Sequence, residues 1–116
     1  MIRCCSPVWK GLLVAVAFGS LLVSCNKRSG APAVLVFCKT AGYHHESIAD
    51  GIAAIQKLGA ENGFTVDTTT NSEWFRDDTL SKYSTVVFLS TTGDVLDQYQ
   101  EAYFERYIQA GGGYVG

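Results

Sequence analysis

Two stretches, AVLVFC at residues 33–38 and TVVFLS at residues 85–90, are apolar or β-branched at nearly every successive position rather than at alternate ones. A strand with one solvated face alternates, whereas a run greasy on both faces suits a strand covered above and below, as parallel strands are. Parallel neighbours cannot be joined by a tight turn and need a crossover, usually helical. The two runs therefore constrain the chain to an α/β fold.

The intervening sequence supplies the crossovers. Ser47 is placed to cap a helix, with Asp50 three residues on as its capping-box partner. Ile48, Ile52, Ile55 and Leu58 recur at helical spacing as one apolar stripe, and Asn62-Gly63 marks its end, glycine suiting the left-handed position beyond a helix. Residues 64–68 form a shorter strand, and residues 71–83, anchored by Trp74, Phe75, Leu80 and Tyr83, hold one or two helical turns. Asp97 and Gln100 have the capping-box spacing for another helix, whose inner side is marked by Leu96, Gln100 and, more firmly, Phe104, Tyr107 and Ile108. Gly111-Gly112-Gly113 ends it and Tyr114-Val115 opens a fourth strand. The pattern predicts an open α/β sheet of flavodoxin-like order 2-1-3-4. Ligands of such sheets bind beyond the carboxyl ends of the strands at the switch point, here the loops 39–46 and 91–94.

The start of the chain reads differently. Arg3 and Lys10 precede an apolar or small-residue run at 11–23, too short for an ordinary membrane span, closed by Leu22-Val23-Ser24-Cys25. That is the build of a secretory signal over residues 1–24. Its ending resembles the lipobox of bacterial lipoproteins, which implies lipidation of Cys25, anchoring to the membrane through it, and export to the bacterial cell envelope, at the periplasmic face or in the outer membrane. Asn26, which lacks the aspartate of inner-membrane retention, favours the outer membrane. Residues 25–32 read as a short tether. Once the signal leaves, Cys38 is the single thiol not carrying lipid, so no intramolecular disulfide can form. Of nine Lys and Arg and eleven Asp and Glu, the signal removes Arg3 and Lys10. The remaining acidic balance, with no basic block beyond Lys27-Arg28, argues against nucleic acid.

VLVFCKTAGYHHESIADGIAAIQKLGAENGFTVDTT, followed by YSTVVFLSTTGDVLDQYQEAYFERYIQAGGGYVG, resembles the N-terminal half of a ThuA-like (trehalose utilisation) domain over residues 33–116. The resemblance implies a flavodoxin-like three-layer sandwich of the class I glutamine-amidotransferase-like type, and a role in catabolism of trehalose or related disaccharides. It also implies that the domain is incomplete, stopping after the start of strand four, before the turn where amidotransferase relatives carry their nucleophile, so that further domains of a longer protein are expected and this part alone is expected to be inactive. A sheet with an uncovered edge is expected not to melt cooperatively by itself. Cys38 stands where the family usually has serine. Tyr43-His44-His45 replaces an aromatic-Arg-His run, so His45 matches the family histidine and His44 the arginine.

Three readings of His44-His45-Glu46 compete: a metal site, a polar loop tip, and a ligand or acid-base site. Adjacent histidines diverge and no third ligand stands at a recognisable spacing, which argues against metal. A rim position and an imidazole that titrates near neutrality favour His45 as an acid-base group, with Asp94 as its partner from the other loop. Lys39, Thr40, His44, Thr91, Thr92 and Gly93 complete the expected ligand-binding set; Thr91-Thr92-Gly93-Asp94 also reads as a plain strand-to-helix turn. Cys38 reads as a buried thiol, and Trp74 and Phe75 as core rather than a sugar platform. A carbohydrate-processing enzyme and a non-catalytic carbohydrate-binding or interaction module of a larger lipoprotein both remain open. The small-molecule partner in either case is a carbohydrate, and the sequence names no cofactor.

Overall fold

The computed structural model describes residues 30–116; the expected signal segment 1–24, Cys25 and most of the tether lie outside the described residues. The two greasy runs form adjacent strands, β1 (Ala33–Phe37) and β3 (Thr85–Phe88), with β2 (Thr65–Thr69) outside β1 and β4 (Gly113–Val115) outside β3. All pairings are parallel and the order is β2-β1-β3-β4, the flavodoxin-like order expected. The crossovers are α1 (Ile48–Asn62), a 3-10 turn (Ser72–Trp74) with the short α2 (Asp77–Leu80), and α3 (Gln98–Gln109).

Side-chain alternation divides the sheet's contents between its faces. Leu35, Phe37 and Val86 point to one side, where Phe75, Leu80, Tyr83, Val95 and Tyr107 meet them in a buried cluster edged by Trp74, Phe88, Tyr103 and Phe104. Helix α1 covers the other side, close enough that a Cβ on Gly51 would lie 3.0 Å from Leu89 Cδ1. Cys38 is buried beside the end of β2, its thiol donating weakly to the Thr69 carbonyl at 3.7 Å.

Three local expectations need correction. Ser47 makes no side-chain cap, because its backbone is already helical (φ −67°, ψ −7°), whereas a capping side chain needs an extended backbone. Leu58 is 51% exposed. The inward stripe of α1 runs instead through Ile48, Ile52, Ile55 and Gly59, and at Gly59 a Cβ would come within 2.7 Å of the Phe64 carbonyl oxygen and 2.9 Å of Val66 Cγ2. The missing side chain lets helix and strand touch. On α3 the inner side is Gln100, Tyr103, Phe104 and Tyr107, and Ile108 faces outward.

The α3 cap forms as expected. Asp97 is extended (φ −83°, ψ 171°), its Oδ1 accepts from Tyr99 N at 2.8 Å and Gln100 N at 2.9 Å, and Gln100 Oε1 accepts from Asp97 N at 3.0 Å. Asp97→Ala removes both side-chain acceptor bonds and is expected to cost about 0.5–2 kcal/mol, measured by urea unfolding. A change within about 0.3 kcal/mol would mean the cap carries no stability.

Candidate functional site

Beyond their carboxyl ends β1 and β3 stay in register for one more parallel bridge, between Thr40 and Thr92. The Thr92 carbonyl accepts from Ala41 N at 2.8 Å and Gly42 N at 3.2 Å, and the Thr92 hydroxyl donates to the Tyr43 carbonyl at 2.6 Å. The loops after the two strands are thereby clamped together at the switch point. Gly93 is required by the clamp. Its φ is +76°, and any Cβ there would lie 3.2 Å from both Gly42 N and the Ala41 side chain. Ser90 also sits at positive φ, 49°, a conformation that costs a non-glycine residue about 1–3 kcal/mol and gathers at functional sites.

Next to the clamp lies an open cleft of about 490 Å³ lined by Lys39, Thr70, Asn71, Ser72, Glu73, Asp94, Val95, Leu96, Asp97 and Gln100. The loop after β2 forms one wall and the approach to α3 the other. Ser72, 6% exposed, ties them together, since its hydroxyl donates to the Val95 carbonyl at 2.7 Å. Lys39 reaches in from the end of β1 and donates through Nζ to Ser72 Oγ at 2.6 Å and the Val95 carbonyl at 3.3 Å. Gln100 Nε2 donates to Glu73 Oε1 at 3.2 Å across the same seam. Asp94 is exposed and has no hydrogen-bond or ion-pair partner among the described residues.

The structure thus brings Lys39 and Asp94, from the two expected loops, to one cleft. The other expected residues sit elsewhere. Thr40, Thr92 and Gly93 belong to the clamp, and Thr91 stands half-buried beside it. His44 Nδ1 lies 3.4 Å from Thr40 Oγ1, and His45 makes an edge contact with the Tyr43 ring at 4.9 Å. Both histidines are on the exposed loop 41–47, and neither lines the cleft. Among the described residues no three or more His, Cys, Asp or Glu side chains converge so as to hold a metal ion. Burial pushes the Cys38 thiol up from its ordinary pKa, which disfavours the thiolate a nucleophile needs. Phe75 is fully buried, and Trp74 stacks on Tyr83 at 6.5 Å. Asn71, Ser72, Glu73 and Gln100 were not anticipated. The signal for the first was present in NSEW, an Asx-type cap ahead of a helical turn, and Asn71 Oδ1 does accept from Glu73 N at 2.9 Å.

A parallel sheet of this order, with helices between its strands, defines an α/β protein of the flavodoxin-like class. The chain belongs to the ThuA (trehalose utilisation) family, whose model matches residues 33–116. A crystal structure of a ThuA-like protein from Bacteroides uniformis is similar in fold, with a TM-score of 0.61 and 22% identity, over 80% of this chain and 38% of that one. The chain therefore spans well under half the length of that relative. No curated protein matches the sequence.

Proposed function

We propose that the protein serves the utilisation of trehalose or a related disaccharide, holding the sugar in the cleft at the ends of β1 and β3. Asp94 is then the acceptor and base within the cleft and His45 an acid-base group carried on the exposed loop 41–47 beside the clamp. The observation that supports this reading is the meeting of Lys39 and Asp94, one from each switch-point loop, in a cleft whose lining is otherwise polar or carboxylate apart from Val95 and Leu96. Such groups match the donors and acceptors of sugar hydroxyls. Titration calorimetry with trehalose tests it. Asp94→Ala should weaken binding at least tenfold, about 1.4 kcal/mol, with the melting temperature nearly unchanged. In the full-length protein His45→Ala should weaken sugar binding or turnover by at least tenfold and His44→Ala much less. Equal effects from the two histidines would remove His45 from its role.

The non-catalytic reading is favoured by one observation, that neither histidine lines the cleft with Asp94. Tight binding without turnover would establish it. The proposal extends to location: the residues 1–25 pattern supports an exported chain lipid-anchored through Cys25 to the cell envelope. Palmitate labelling should mark the wild type and not Cys25→Ala, and label persisting in the variant would refute the anchor.

A further inference from the structure

We propose that the cleft selects neutral, unphosphorylated sugars and turns away sugar phosphates; the inference rests on the carbohydrate reading above. The lining carries one ammonium, Lys39, against three carboxylates, Glu73, Asp94 and Asp97. Several of the groups that could hold an anion there are already engaged. Lys39 points two of its three N–H groups at Ser72 Oγ and the Val95 carbonyl, and no carboxylate stands within ion-pairing distance of it among the described residues. The start of α3 would otherwise attract a phosphate through its exposed amides. The Tyr99 and Gln100 amides are instead filled by the Asp97 carboxylate, which also places a negative charge at that point. The Gln100 amide group is engaged with Glu73, a neighbour in the same lining.

What remains open to a ligand includes carboxylate acceptors, beside the Asn71 amide group and one N–H of Lys39. Asp94 has no partner among the described residues, and Glu73 retains acceptor positions beyond its bond from Gln100. Hydroxyl groups of a neutral polyol donate to such acceptors. A phosphate donates little and brings two negative charges toward an already acidic lining, a repulsion that salt screens in an open cleft. Lys39 is also half-buried, and its two neutral partners fix the direction of two of its N–H groups.

The test is calorimetric titration of the full chain with trehalose and with trehalose 6-phosphate, at low and high salt, for wild type, Asp94→Asn and Asp94→Lys. Wild type should bind the phosphate at least tenfold more weakly than trehalose at low salt. The gap should narrow at high salt and in Asp94→Asn, and should close or reverse in Asp94→Lys. Phosphate binding as tight as trehalose in the wild type would overturn the selectivity while leaving the carbohydrate reading intact. A gap indifferent to salt and to both substitutions would also overturn it, since its cause would then be steric. Failure of both ligands to bind would overturn the carbohydrate reading and this inference with it.

Discussion

Replacing Phe75 with alanine is expected to lower the unfolding free energy by about 3–5 kcal/mol, the usual cost of emptying a buried aromatic site. Phe75 is fully buried and is the point where three rings converge: Phe37 of β1 at 4.7 Å, Phe88 of β3 at 5.6 Å and Phe104 of α3 at 5.5 Å, all edge-on. Edge contacts of this kind add to the area term. The vacated space cannot be refilled cheaply, because the Phe75 amide is fixed to the Ser72 carbonyl at 3.0 Å and the neighbouring Ser72 holds the cleft wall. A domain of this size has about 5–15 kcal/mol in total, so the variant should lose much of its stability and some cleft binding together. Tyr43→Ala is the control. It removes an equally large ring, but one that is 70% exposed, and should stay within about 0.5 kcal/mol of wild type. Urea unfolding of the two variants decides the matter. A Phe75→Ala loss below about 1.5 kcal/mol would mean the ring is not the keystone its contacts describe.

The fold was legible because β1 and β3 announce themselves by burial on both faces, and because Gly63 and the Asp97 to Gln100 pair have one common structural use each. What the sequence concealed was geometry that only packing decides. Ser47 and Asp97 both begin capping-box spacings, yet only Asp97 has the extended backbone that lets its side chain reach back. A search for apolar residues finds Leu58 and passes over Gly59, although the close approach of α1 to Phe64 and Val66 depends on an absent side chain. The site divides in the same way. Lys39 and Asp94 follow the two greasy runs directly, so their loops could be placed by topology. Ser72 and Gln100 enter from the loop after β2 and from α3, and nothing local to either predicts a seam joined through Val95 and Glu73. The histidines stood out by residue type, and the backbone set them on the exposed loop 41–47, outside the cleft lining.

An alkaline signature is expected to centre on Tyr83. This residue follows α2, is 5% exposed, and donates its phenolic hydrogen to Asp67 Oδ2 on β2 at 2.8 Å. Its pKa is pushed up to about 12 from an ordinary 10.0, first by burial, then by the hydrogen bond to Asp67, then by that carboxylate's charge. Each cause disfavours phenolate in the folded state. Between pH 10 and 12 the unfolded chain releases this proton while the folded chain keeps it, so the unfolded state binds fewer protons and stability must fall as pH rises. The stabilisation is complete below pH 10 and gone once pH passes the folded value, with an upper limit of about 2–3 kcal/mol for a shift of this size. The comparison that isolates Tyr83 is internal, between wild type and Tyr83→Phe. Tyr83→Phe cannot ionise. It should cost about 0.5–1.5 kcal/mol at neutral pH through the lost bond to Asp67, yet its stability should decline less steeply than that of wild type from pH 10 to 12. The two curves should therefore converge or cross at the alkaline end. Parallel curves across that window would show that Tyr83 titrates alike in both states, and that the bond to Asp67 does not hold its proton.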